Sequence, residues 1–135
     1  MIRAVIDTNV LVSSTLSPDG NPAKIMNKIS DKQTQLLYSP AILDEYKRVL
    51  GYEKLNIAQK TQEKIIAKIE ELGVLVEPKV SDVPMIDETD RVFYDAAKES
   101  GASLVTGNTK HYPTEDFIMT PNSFLELLNS AETEF

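Results

Sequence analysis

The N-terminal stretch IRAVIDTNVLV, residues 2–12, carries a short apolar run that ends at Asp7, Thr8 and Asn9. The run at residues 4–6 is typical of a buried strand in a parallel sheet. In open α/β sheets, ligands bind outside the carboxyl ends of the strands, so an Asp at this point is placed for chemistry. The same Asp could instead cap the segment that follows. This stretch alone leaves both roles open.

The composition predicts one compact domain, residues 1–135, because 135 residues with 41% hydrophobic content suffice for a single core. No apolar run approaches the roughly 20 residues that a membrane span needs. The N-terminus also lacks a basic leader followed by an apolar stretch. We therefore expect a soluble, cytoplasmic protein.

The chain has no cysteine and a single histidine. Thiolate and imidazole metal clusters are therefore excluded, and any metal must be bound mainly by oxygen. The net charge of -7 argues against broad electrostatic attraction of nucleic acid. Divalent cations bound by clustered acids would reverse that sign locally, and the acidic charge also suits a basic protein partner.

Apolar periodicity predicts strands that alternate with helices. Predicted strands cover residues 4–6, 35–39, 74–76, 103–106 and 117–119. Predicted helices cover residues 22–29 with Asn21 as N-cap, 40–50 with Ser39 as N-cap, 57–72, 90–100, and a last one that starts at Pro121. Residues 78–88 are interpreted as a surface loop, and the tail from Ala131 as frayed. The alternation indicates parallel crossover units in a layered α/β fold.

Two helical acids face the predicted core to different degrees. On the helix after Ser39, Glu45 lies at the edge of the apolar stripe, whereas Asp44 lies on the solvated side. A carboxylate at that edge could lean into a cleft, or it could be an ordinary boundary residue.

Asp90 begins the later helix on the same face as Phe93 and Ala97. A carboxylate directed inward is costly unless it is paired, protonated or bound to metal, although Asp90 could also be a helix cap. Asp95 points nearly opposite, so we expect it to be solvated, as we do for Asp87.

The fourth strand ends in the polar residues Thr106 and Asn108. They offer a hydroxyl and an amide at the same sheet edge as Asp7, although TGN is also a common turn sequence. Lys110 is a candidate phosphate contact, while His111 is interpreted as a surface residue. Further candidate phosphate contacts are Lys47, Arg48 and Arg91. For these three and for Lys110, a solvated charge is the default interpretation.

Together these segments resemble the PIN domain family, and within it the VapC-like toxin ribonucleases of toxin–antitoxin pairs. The resemblance covers nearly the whole chain. It consists of DTN after the first strand, SPAILDEYKRVL, ETDRVFYDAAKESGA, LVTGNTKHYP and a closing TPNSFLELL helix. Each motif is weak alone, whereas their order and spacing are specific.

The resemblance implies a three-layer fold with a central, mainly parallel sheet of about five strands flanked by helices. It implies a metal-dependent endoribonuclease in which Asp7, Glu45 and Asp90 hold Mg²⁺ or Mn²⁺. Asn108 occupies a fourth position where many members carry Asp, which puts a second ion in doubt, and Asp116 has the wrong spacing to replace it. The implied residues that orient ligands or contact substrate are Thr8, Asn9, Thr106 and Lys110. A small antitoxin and a homodimer are also implied.

Two other functions remain open from the sequence. Asn108 and the acidic balance favour a PIN-like binding module that has lost efficient catalysis and acts through protein or RNA contacts. A phosphatase or receiver-like domain would use Asp7 as phosphoacceptor, but no lysine follows a late strand at the spacing that such a site needs.

Overall fold

A computed structural model describes residues 1–133 of the chain. Its elements in chain order are β1 (Arg3–Ile6), α1 (Thr8–Leu16), α2 (Asn21–Ser30), β2 (Gln35–Tyr38), α3 (Pro40–Leu50), α4 (Gln59–Leu72), β3 (Val74–Leu75), α5 (Arg91–Ser100), β4 (Ser103–Val105), β5 (Ile118–Met119) and α6 (Pro121–Thr133). Short 3₁₀ turns at Glu53–Leu55, Glu88–Asp90 and Thr109–His111 connect some of them.

The strands form one parallel sheet in the order β3-β2-β1-β4-β5. Val5 in the central strand lies beside Leu37 of β2 and Leu104 of β4. Successive residues of β1 point to opposite faces of the sheet, and Ala4, Val5 and Ile6 are all at most 1% exposed. Both faces are therefore covered by helices, and the predicted three-layer α/β fold is confirmed.

Helix α1 is not predicted by the sequence patterns, although it directly follows Asp7. Its sequence, TNVLVSSTL, is rich in β-branched and hydroxyl residues with low helix propensity. Contacts with α2 and burial of Val10 and Leu11 in the core hold it in a helix. Tertiary packing therefore overrides local preference here.

The predicted start of α3 is confirmed in detail, because Ser39 Oγ accepts a 3.2 Å hydrogen bond from Ile42 N. The predicted cap of α2 is wrong by one residue. Gly20 occupies the N-cap position, and Asn21 is already the first helical residue. Helix α6 continues to Thr133, and residues 134 and 135 of the expected frayed tail lie outside the described residues.

No helix within residues 1–133 combines the length and the apolar character needed to cross a membrane.

Candidate functional site

Asp7 lies at the carboxyl end of β1 with only 7% of its surface exposed. Its Oδ2 accepts hydrogen bonds from Thr106 Oγ1 at 2.8 Å and from the Tyr112 hydroxyl at 3.0 Å. Its Oδ1 accepts a long hydrogen bond of 3.4 Å from Asn9 N, which makes Asp7 the N-cap of α1. The capping role is confirmed, and Oδ1 is the less engaged of the two oxygens.

Two buried tyrosines fix the end of β1. The Tyr46 hydroxyl donates to the carbonyl of Ile6, and the Tyr112 hydroxyl donates to Asp7. Burial, and then the negative charge of Asp7, raise the pKa of both phenols, so both stay protonated as donors. Neither was predicted as a site residue. Only Tyr46 could have been found from the sequence, because a tyrosine within an apolar stripe is expected to be buried and its hydroxyl then needs a hydrogen-bond partner.

Asp90 occupies the N-cap position of α5 and is half-buried. Among the described residues, its side chain makes no capping hydrogen bond. Burial, and then the charge of Asp7, raise the pKa of Asp90 to about 6. The charges of Asp87 and Glu45 act in the same direction, while His111 opposes them. Asp90 therefore lies within electrostatic range of both Asp7 and Glu45.

Glu45 lies at the boundary of the core as predicted, with its side chain 21% exposed, whereas Asp44 is exposed. Its Oε2 lies 2.6 Å from Arg48 Nη2 on the next turn of α3. Arg48 also donates to the Tyr52 hydroxyl, and its guanidinium carbon lies 5.6 Å from the centre of the Tyr52 ring. The Glu45 carboxylate is therefore engaged within its own helix.

The turn after β4 is tied to the start of α1. Fully buried Thr106 donates to Asp7 and accepts a 3.1 Å hydrogen bond from Asn108 N. Gly107 N donates to Asn9 Oδ1 at 3.2 Å. Asn9 and Asn108 both line a hollow of about 270 Å³ beside this turn. The structure thus brings the polar ends of β1 and β4 together, as predicted from the parallel pairing.

Asp95 is not solvated, contrary to the sequence-based expectation. It is 5% exposed, and its Oδ2 accepts a 3.0 Å hydrogen bond from Ser81 N. One turn away in each direction, Glu99 accepts a 2.8 Å bond from Lys79 N, and Arg91 donates a 2.9 Å bond to Ser81 O. The extended segment before α5 therefore packs on the helix face that local periodicity assigns to solvent.

Arg91 is committed to structural contacts. It forms two 2.8 Å hydrogen bonds to Glu88, in addition to its bonds to the carbonyl and hydroxyl of Ser81. These contacts leave it unsuited to the phosphate role considered from the sequence. Several other side chains considered from the sequence are exposed, including Lys47, Arg48, Lys110, His111 and Asp116.

The residues present fit a hard divalent cation in chemistry and charge. Asp7, Glu45 and Asp90 offer carboxylate oxygens, and the pKa of Asp90 is raised first by burial and then by the negative charge of Asp7. Thr8, the residue after Asp7, has a buried Oγ1 without a hydrogen-bond partner among the described residues. Within residues 1–133, however, no three His, Cys, Asp or Glu side chains are already placed to hold an ion. Arg48 engages Glu45 Oε2, so its positive charge would oppose an ion that binds this carboxylate.

Residues 3–110 match the family model described as PIN domain. A curated relative, the uncharacterized protein MJ1680 of Methanocaldococcus jannaschii, is 29% identical over 137 residues. That alignment spans 95% of this chain and 82% of the relative.

Two solved structures have a similar fold. PAE2754 from Pyrobaculum aerophilum matches with a TM-score of 0.60 at 15% identity, over 96% of this chain and 90% of that chain. VapBC2 from Rickettsia felis, solved bound to a DNA fragment from its promoter, matches with a TM-score of 0.57 at 14% identity, over 88% of this chain and 97% of that chain. At these identities the likeness is evidence for the fold alone.

Proposed function

Since this chain belongs to the PIN domain family, whose members are generally nucleases, we propose that it is a metal-dependent endoribonuclease. It cleaves RNA phosphodiester bonds and acts as the toxin component of a bacterial or archaeal toxin–antitoxin pair. The toxin assignment follows the motifs that resemble VapC-like members of the family, and the VapBC2 structure shares the fold.

The proposed site consists of Asp7, Glu45 and Asp90, which hold Mg²⁺ or Mn²⁺, with Asn108 at a fourth position. The observation that most supports it is the surroundings of Asp90, whose pKa is raised first by burial, then by the charge of Asp7 and least by that of Glu45. This supports a concentration of negative charge from separate segments of the chain near the end of β1. A divalent cation would offset that charge.

When bound, the ion would polarise the scissile phosphate and lower the pKa of the attacking water. The chain's own residues prepare Asp7 for this role. Thr106 and Tyr112 donate to Oδ2 and fix the carboxylate, which leaves Oδ1 as the freer oxygen. Asn108 adds no charge at the fourth position, so we expect any second ion to bind weakly.

Other polar residues complete the proposed site. Asn9 helps to orient Asp7, because its backbone N donates to Oδ1. Thr8 follows Asp7 directly, and its buried hydroxyl, which has no partner among the described residues, would join the site when the ion is bound. Lys110, which is exposed in the turn that follows Asn108, contacts substrate phosphate.

We also propose a cytoplasmic homodimer that is inhibited by a small antitoxin covering the site. The net charge of -7 favours a partner with a basic segment. Such a segment would pair with the same carboxylates that otherwise hold the ion.

The test is Mn²⁺-dependent cleavage of mixed RNA by the purified protein, with EDTA as the metal-removal control. Asp7→Asn is expected to lose at least about a hundredfold in activity, since loss of even a residue that orients a metal ligand costs about 10–100-fold. Asn can accept hydrogen bonds on one side only, so it loses either the bond from Asn9 N or the bonds from Thr106 and Tyr112. We expect the free energy of unfolding to fall by about 1–3 kcal/mol, and urea denaturation checks that the variant is still folded. Asp44→Asn, an exposed acid on α3, is the matched control and should retain wild-type activity. Equal cleavage by wild type and Asp7→Asn would refute the assignment.

A catalytically weakened binding module is the second candidate. It is favoured by the neutral Asn108 and by the engagement of Glu45 with Arg48. Under this alternative, the wild-type protein binds Mn²⁺ or RNA in a titration but shows no turnover in the same buffer. Metal-dependent turnover would exclude it.

A further inference from the structure

We propose that Arg48 is a phosphate-binding residue of the candidate site and that binding of a divalent ion at Glu45 releases it. The inference rests on the proposed function, because it takes Glu45 as a metal ligand. In the metal-free protein, Arg48 then serves as the counter-ion of Glu45. In the loaded protein, it contacts the substrate.

The first step is competition for one carboxylate. Arg48 Nη2 lies 2.6 Å from Glu45 Oε2, within direct hydrogen-bonding distance. A guanidinium bonded to Oε2 occupies one of the two oxygens that a divalent cation would use, and its positive charge repels the cation. The side chain of Arg48 is 53% exposed, and ion pairs at such positions are weak. Breaking the pair is therefore expected to cost no more than about two- to fivefold in metal affinity.

The second step concerns where the released guanidinium goes. Tyr52 keeps Arg48 near the site, because its hydroxyl accepts a hydrogen bond from Nη1 and its ring lies 5.6 Å from the guanidinium carbon. A phosphate that meets the ion at Glu45 lies within reach of a side chain that already contacts this carboxylate. The planar fork of an arginine also suits phosphate oxygens.

Comparison with neighbouring basic residues singles out Arg48. Arg91 is 14% exposed, and its hydrogen bonds to Glu88 and Ser81 occupy it. Lys47 is exposed on the same helix as Arg48 and makes no ion pair among the described residues. Arg48 is thus the basic residue here that contacts a candidate metal ligand while remaining accessible.

The test compares Arg48→Gln with Lys47→Gln, because each removes one positive charge from α3. Mn²⁺ affinity is measured by calorimetric titration without RNA. Arg48→Gln is expected to bind Mn²⁺ about two- to fivefold more tightly than Lys47→Gln. Equal affinities would overturn the release step. If the wild-type protein binds no Mn²⁺, the proposed function fails as well; if Asp7→Asn weakens binding but the two Gln variants agree, only the release step fails.

The phosphate role has a separate readout. Binding of a phosphorothioate oligoribonucleotide in Mn²⁺ is measured over a range of salt concentrations. Arg48→Gln is expected to bind more weakly than Lys47→Gln and to lower the logarithmic salt slope by about 0.7, the value for one contact to a single strand. The same affinity and slope in both variants would overturn the phosphate role, even if the metal titration gave the expected difference.

Discussion

The hydroxyl of Tyr112 donates a 3.0 Å hydrogen bond to Oδ2 of Asp7, a residue 105 positions earlier in the sequence. Thr106 donates to the same oxygen, so the carboxylate is held from one side and Oδ1 stays freer. The donors and the acceptor meet because β1 and β4 are adjacent and parallel. The orientation of Asp7 therefore depends on residues that follow β4.

Tyr112→Phe is expected to weaken Mn²⁺ binding by about 10–100-fold, because it removes a donor that orients Asp7 while keeping the buried ring. The free energy of unfolding should fall by about 1.5–3 kcal/mol, because the lost hydrogen bond is to a charged, buried group. Calorimetric titration and urea denaturation measure the two effects. Tyr94→Phe is the control, since its hydroxyl donates to Glu115 instead. Similar Mn²⁺ affinities in the two variants would contradict the role of Tyr112.

Asp95→Ala is expected to lower the free energy of unfolding by about 1–3 kcal/mol, because it leaves Ser81 N without its acceptor. Amide hydrogen exchange at Ser81 should become faster, since the segment loses one of its hydrogen bonds to α5. Asp95→Asn keeps an acceptor oxygen and should protect that amide better than Ala does. Unchanged exchange in Asp95→Ala would show that Arg91 and Glu99 suffice to hold the segment.

Asp90 should make the stability of the metal-free protein depend on pH. Folding raises its pKa from 3.8 to about 6, so the folded protein binds the proton more tightly than the unfolded chain does. Stability from this group is therefore full below the lower value and is lost as the pH rises through the higher one.

Asp90→Asn removes that loss because an amide does not titrate. In EDTA, the difference in melting temperature, Asp90→Asn minus wild type, should become more positive as the pH is raised from about 4 to about 8. Thermal melts of both proteins across this range measure it. A difference that stays constant with pH would argue against a raised pKa.

Much of the fold could be predicted because local signals agree with the tertiary structure. Ser39 and Pro40 start α3 as their sequence indicates, and the strand runs lie in the sheet. Helix α1 could not be predicted, because its helical state depends on packing rather than on propensity. The single-domain interpretation of residues 1–135 stays a prediction.

The candidate site was predictable to the extent that helical faces and strand ends determine where side chains point. Glu45 and Asp90 lie at the core boundary as the periodicity indicates. The burial of Asp95 depends on where the extended segment around Ser81 packs, and helical periodicity carries no information about that packing. The contact of Tyr112 with Asp7 likewise arises only from the order of the strands. The roles assigned to the acids stay predictions.

The position of β1 in the middle of the sheet has a consequence for synthesis of the protein. Strand β1 precedes the other strands of this sheet in the sequence and pairs with β4, and Asp7 acquires its hydroxyl donors only from residues 106 and 112. A nascent polypeptide therefore carries Asp7 without its final surroundings until most of the message has been read. A product released before Tyr112 contains at most one of these two hydroxyl donors, Thr106, and therefore cannot form both hydrogen bonds to the Asp7 carboxylate.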